Sequence, residues 1–141
     1  MANLEQQSRT AQEFILNIGK GGVAPARYAD DLTAWSLLSG MMDKTLYLSK
    51  LDTVRQIFTP PLEITVDTVT AQVGRVVIQA RSTGVLFNGT HYSNDYMFLV
   101  EFDSDDRITH VREYFDSTRA IQALVPAMRE WNARQAASPP S

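Results

Sequence analysis

Residues 84–116 read GVLFNGTHYSNDYMFLVEFDSDDRITHVREYFD, and this stretch decides the fold. Asn88-Gly89 marks the centre of a turn, because Asn-Gly takes the left-handed backbone that a tight hairpin loop needs. Ser104-Asp105-Asp106 is a second turn, polar between two apolar alternations. Between them the side chains alternate with period 2. Tyr92, Asn94, Tyr96, Phe98, Val100 and Phe102 share one face, and His91, Ser93, Asp95, Met97, Leu99 and Glu101 the other. The first set is the more apolar and is expected inward; a one-residue slip would turn Asp95 inward instead of Asn94 and Tyr96. The next strand, over 107–116, sets Val111, Glu113 and Phe115 on one face. A carboxylate between two apolar neighbours on a covered face singles out Glu113.

Working outward, Arg75 to Phe87 is rich in β-branched residues and predicts another strand, with Gly84 as a possible bulge. Residues 62–73 alternate and turn at Gly74-Arg75, which completes a four-strand antiparallel meander. Upstream, residues 2–18 predict a helix with Phe14, Ile15 and Ile18 as its apolar stripe and Ser8 or Thr10 as its cap. Gly19-Lys20-Gly21-Gly22 ends it; this run follows a helix and lacks a Lys-Ser/Thr ending, so it reads as a loop rather than a phosphate cradle. Pro25 opens a short helix to Tyr28, Asp30-Asp31 reads as a solvated turn, and a short strand over 33–38 carries Trp35. Residues 40–49 read as loop or weak strand, and 50–58 as a helix stopped by Thr59-Pro60-Pro61. A last helical segment, 118–135, is expected to kink or split at Pro126, with Asp116 as its cap. The expected division is a frayed stretch 1–7, one domain over 8–135, and a flexible tail 136–141. The layout is α+β: a cone-shaped, curved antiparallel sheet packed against N-terminal helices and closed by a C-terminal helix.

Composition narrows the function. The chain has 141 residues, a formal charge of −3 and no run of Lys and Arg, which argues against a nucleic-acid partner. It has no cysteine, so disulfides, thiolate metal sites and a cysteine nucleophile are excluded. His91 and His110 lack an acidic cluster and offer no metal site. No apolar run approaches the ~20 residues of a membrane span, and residues 1–9 lack the apolar core of a secretory signal. A cytoplasmic protein without membrane partners is expected.

The order of helix, Tyr28-Ala29-Asp30-Asp31, a Trp35 strand and a helix at 50–58 resembles the nuclear transport factor 2-like superfamily. Gly89-Thr90-His91-Tyr92-Ser93-Asn94-Asp95-Tyr96, then Asp106-Arg107-Ile108 and Arg112-Glu113-Tyr114-Phe115-Asp116, is similar to its SnoaL-like branch, over about residues 8 to 130. That branch includes polyketide cyclases, with ketosteroid isomerases and limonene-type epoxide hydrolases as relatives. The resemblance implies a homodimer through the outer sheet face, where Met97 and Leu99 stand, with Val77 beside them as a further candidate. It does not carry over the isomerase groups: the general-base aspartate falls on Ser36, the oxyanion-hole acid on Phe98 and the oxyanion-hole tyrosine near Phe14. Of the epoxide hydrolase groups, Glu113 replaces an aspartate, while the Arg-x-Asp pair falls near Ala80 and Ser82, with Arg81 one residue away.

The resulting expectation is a cofactor-independent SnoaL-like enzyme of cyclase, isomerase or dehydratase type. Its substrate would be a hydrophobic, oxygenated small molecule, polyketide-, terpenoid- or steroid-like. Glu113 would carry the proton, since desolvation raises a carboxyl's pKa toward neutrality. Tyr96 and Asn94 would donate to an oxygen gaining negative charge. Phe14, Tyr28, Trp35, Phe98, Val111 and Phe115 would line the pocket. Two alternatives stand beside it: a non-catalytic small-molecule-binding or dimerisation module, and a limonene-type epoxide hydrolase with an altered triad. A pocket open and polar near Glu113 favours an enzyme; one plugged by Met41, Met42 and Trp131 favours a module.

Overall fold

Asn3 starts the first helix, α1 (Leu4–Leu16): its side chain accepts from the Gln6 amide at 2.9 Å. The cap is therefore Asn3, not Ser8 or Thr10, and the helix begins inside the stretch expected to fray. Gln7 explains why. Fully buried, it donates to Asp106 Oδ1 at 2.8 Å and accepts from the Gly74 amide at 2.7 Å, so one side chain ties two hairpin turns to the helix. The computed structural model describes residues 2–137, and the end of the expected tail, 138–141, lies outside them.

After two short 3-10 turns the chain runs through β1 (Tyr28–Ser36), β2 (Gly40–Asp43), α2 (Lys44–Ile57), β3 (Glu63–Gln72), β4 (Arg75–Val85), β5 (His91–Phe102) and β6 (Ile108–Phe115). It ends in α3 (Ser117–Arg119), a π-helical turn (Ala120–Leu124) and α4 (Val125–Ala137). The six strands form one curved, unclosed sheet in the order β2-β1-β6-β5-β4-β3. The expected meander is its β3–β6 part. Two strands more lie beside β6, and β1 pairs with it in parallel. Asp30 and Asp31 are exposed within β1 rather than in a turn, at an irregularity of pairing between Tyr28 and Thr33 that breaks the alternation.

Asp43 caps α2 by accepting from the Leu46 amide at 2.9 Å, so this helix begins six residues before the expected start at Lys50. Its buried stripe is Tyr47, Leu51 and Ile57. Gly84 does not form a bulge; it pairs regularly with Tyr92. A side chain there would meet Phe58 Cδ1 at 2.9 Å, so Gly84 lets the end of α2 lie on the sheet. The irregularities fall instead at Asp67 and Thr109, where one strand carries an unmatched residue. Pro126 neither splits nor ends the last helix. The Val125 amide bonds five residues back to Ala120, and this wider turn absorbs the missing proline donor. Asp116 caps α3 as expected, accepting from the Thr118 and Arg119 amides.

Candidate active site

The register fixes the inward face. Across β5 and β6, Phe98 stands opposite Glu113, Tyr96 opposite Phe115 and Val100 opposite Val111. Residues directly opposite share a face, and Tyr92, Asn94, Tyr96, Phe98, Val100 and Phe102 are all buried while Asp95 is exposed. On the other side of β6, Ser36 of β1 stands opposite Glu113. The carboxylate thus lies in the middle of the concave wall.

In front of it is a cavity of about 330 Å³. The sheet supplies Glu113, Phe98, Phe115, Tyr96, Tyr92 and Ser36; α2 supplies Tyr47, Leu51 and Val54; the C-terminal helical run supplies Leu124 and Met128. Burial alone pushes the Glu113 carboxyl from 4.5 up to about 7. No described residue bonds to it, and its partly open surface is the surface facing the cavity. It is the one carboxylate among the lining residues.

Three phenols surround it closely enough for its charge to act on them: Tyr47, Tyr92 and Tyr96. Burial pushes all three hydroxyls above their ordinary range, and ionised Glu113 raises them further, so each remains a proton donor at neutral pH. Tyr96 shares a 2.8 Å hydrogen bond with buried Ser82 Oγ and stacks on Phe98. The Tyr96 hydroxyl also lies in reach of the Tyr92 hydroxyl, so Ser82, Tyr96 and Tyr92 form one chain of hydroxyls along the cavity wall. Tyr47, 5% exposed, has a hydroxyl that makes no hydrogen bond with the described residues. No fully enclosed side-chain oxygen in them lacks a bond, so its hydroxyl opens on the cavity. Sequence reasoning missed Tyr47; the signal was Asp43, whose cap places Tyr47 on the stripe of Leu51.

Asn94 faces inward but is not a donor to the cavity. Its amide donates to Tyr92 Oη at 2.7 Å and to the Asp116 carbonyl at 3.0 Å, and its oxygen accepts from the Asp95 amide at 2.8 Å and the Asp116 amide at 3.0 Å. Every polar atom is used. Asn94 clamps the junction from β6 into α3 and orients Tyr92. Of the expected lining, Phe98 and Phe115 are in place. Phe14 and Tyr28 pack edge to face in the core behind, where Tyr28 Oη accepts from the Val23 amide at 3.1 Å, and Val111 is buried under the wall. Trp35 lies on the outer face, its ring under the Arg112 guanidinium at 4.2 Å and beside Tyr114. Ala34 and Ser36 take the inward positions, because β1 follows the register of Val111 and Glu113.

The cavity is not plugged. Met42 lines it, Met41 is 62% exposed, and Trp131 packs on Phe87 away from the lining. An epoxide hydrolase triad is not assembled either: Arg81 points outward to Asp67 at 3.2 Å, Ala80 is buried in the sheet, and Ser82 holds Tyr96. Among the described residues no group of three or more His, Asp or Glu converges as a metal site. No helix of these residues is long and apolar enough to cross a membrane.

No protein-family model matches the chain, and no curated protein matches it by sequence. Solved structures do. A nuclear transport factor 2-like protein from Burkholderia xenovorans LB400 matches at 20% identity over 87% of this chain and 98% of its own, with a TM-score of 0.67. The pinacolase BvnE from Penicillium brevicompactum matches at 15% identity over 93% and 99%, with a TM-score of 0.71. An LEH-like epoxide hydrolase from M. tuberculosis matches at 16% identity over 93% and 98%, with a TM-score of 0.69. At such identities the likeness is one of fold: the chain has the nuclear transport factor 2-like fold.

Proposed function

We propose, with the nuclear transport factor 2-like fold as premise, that this chain is a cofactor-independent enzyme whose Glu113 moves a proton within an apolar, oxygenated small molecule. The observation that carries this reading is the Glu113 carboxyl: unbonded, walled by aromatic rings, facing the cavity, and poised to gain or lose a proton near pH 7. A single carboxylate suits reactions that return the proton they take, such as isomerisation, intramolecular cyclisation or elimination, better than hydrolysis through a triad. Tyr47 and the coupled Tyr92–Tyr96 hydroxyls donate to the substrate oxygen as negative charge develops on it, in a low-dielectric site where such bonds count for most. The pinacolase among the structural neighbours is in keeping with a carbon-skeleton or carbonyl reaction. The test is hydrogen–deuterium exchange at the acidic carbons of cyclic unsaturated ketones, followed by NMR. Catalysed exchange should rise through about pH 7 and fall on the order of a hundredfold or more in Glu113→Gln. Equal exchange in that variant would remove Glu113 from the role.

A second copy is proposed to cover the outer face of the sheet. Met97 and Tyr114 are directly opposite each other there and 45% and 42% exposed, with Leu99, Val77 and Trp35 around them. Exposed apolar groups grouped on one sheet face suit an interface. Light scattering should give twice the chain mass, and Met97→Glu should halve it. A monomeric wild type would contradict this.

A further inference from the structure

The mouth of the cavity differs in charge from its interior. Lys50 of α2 and Arg129 of α4 both line it, with Asn132 one turn beyond Arg129 and Ser39 from the β1–β2 connection. Lys50 Nζ donates to Ser39 Oγ at 3.2 Å and keeps two further donors. Arg129 is exposed and forms no hydrogen bond or ion pair with the described residues. Six other arginines each hold a carboxylate: Arg27, Arg55, Arg81, Arg107, Arg119 and Arg134. Glu130, the nearest acid in sequence, pairs with Arg134 instead of Arg129. In a chain of net charge −3, two uncompensated cations at one opening form a local positive field that a neutral ligand would not use.

We infer that the ligand of this cavity is an apolar ring compound bearing a carboxylate, bound with that group at the Lys50–Arg129 mouth and its reacting oxygen inward among Tyr47, Tyr96 and Glu113. The inference rests on the proposed function and narrows its substrate class. The two ends belong to different elements: Glu113 stands in the middle of the sheet wall, whereas Lys50 comes from α2 and exposed Arg129 from α4. Anchoring the anion at the mouth sets which carbon reaches Glu113, and remote binding energy is thereby turned to orientation. Arg129 supplies a planar fork matched to a carboxylate, Lys50 a point charge, and the aliphatic stems of both cover the apolar rim.

The test compares naphthalene-2-acetate with its methyl ester by isothermal titration calorimetry. The carboxylate should bind the wild type about tenfold more tightly than the ester at low ionic strength, and the ratio should shrink in about 0.5 M salt as exposed charges are screened. In the Lys50→Gln/Arg129→Gln double variant the ratio should fall to about one, and in Arg129→Gln alone to an intermediate value. A ratio of one in the wild type, a ratio kept in the double variant, or binding of neither probe overturns the inference. The proton-transfer reading fails separately. A ratio of one with Glu113-dependent exchange intact removes only the anionic ligand, whereas a tenfold preference with no catalysed exchange removes only the chemistry.

Discussion

Glu113→Gln is expected to be more stable than the wild type at pH 8, by about 2 kcal/mol in denaturant unfolding, and equal to it within about 0.5 kcal/mol at pH 4. The sign follows from the raised carboxyl. Below pH 4.5 both folded and unfolded chains hold the proton, and the residue is neutral in each. Between 4.5 and about 7 the unfolded chain releases it while the folded chain keeps it. The folded state then binds more protons, so stability falls as pH rises, at about 1.4 kcal/mol per unit. The full window would give about 3 kcal/mol, reduced here because one side of the carboxyl faces a cavity that admits water. Glutamine does not ionise and removes the slope. Comparison at fixed protein concentration keeps any dimer contribution constant. A variant no more stable than wild type at pH 8 would mean that a bonded partner holds the carboxylate. Such a destabilised, neutral-pH acid is what a functional site retains and a purely structural one does not need.

Asn94→Ala should cost about 3 kcal/mol. Four hydrogen bonds go at once: the Asp116 N–H loses its side-chain acceptor, its C=O keeps only the Ala120 amide at 3.3 Å, and the buried Tyr92 hydroxyl loses its amide donor. The loss should be local first. Amide exchange at Asp116, Thr118 and Arg119 should quicken, because their geometry depends on the clamp and on the Asp116 cap beyond it. The π-helical turn and α4 that close the cavity hang from this junction, so ligand affinity should fall with it. A catalytic donor would behave in the opposite way, folding like wild type and losing only turnover. Near-native stability in Asn94→Ala would restore that role and overturn the clamp.

The meander was legible because alternation and turn chemistry are local. The Asn88-Gly89 turn, the polar 104–106 turn and the apolar set from Tyr92 to Phe102 fixed three strands and put Glu113 inward. What a strand pairs with is not local. The parallel partnership of β1 with β6 leaves no mark in either strand's alternation, and it is that register which turns Ser36 inward and Trp35 outward. A preference for the larger aromatic as the buried one pointed the wrong way there. Asn94 shows a different limit: its face could be read, but two of the four bonds that occupy it come from the Asp116 backbone, 22 residues on at the end of the neighbouring strand. Tyr47 was hidden by a late helix start, since Leu46-Tyr47-Leu48 resembles a strand until Asp43 is taken as a cap.

The most direct measurement is the titration of Glu113 itself, by carboxylate-detected NMR on the ligand-free protein, with Glu113→Gln identifying its signal. The account predicts a midpoint near pH 7, the value burial gives a carboxyl facing this cavity without a partner. A midpoint near the ordinary 4.5 would show a solvated or ion-paired carboxylate and contradict proton transfer by Glu113.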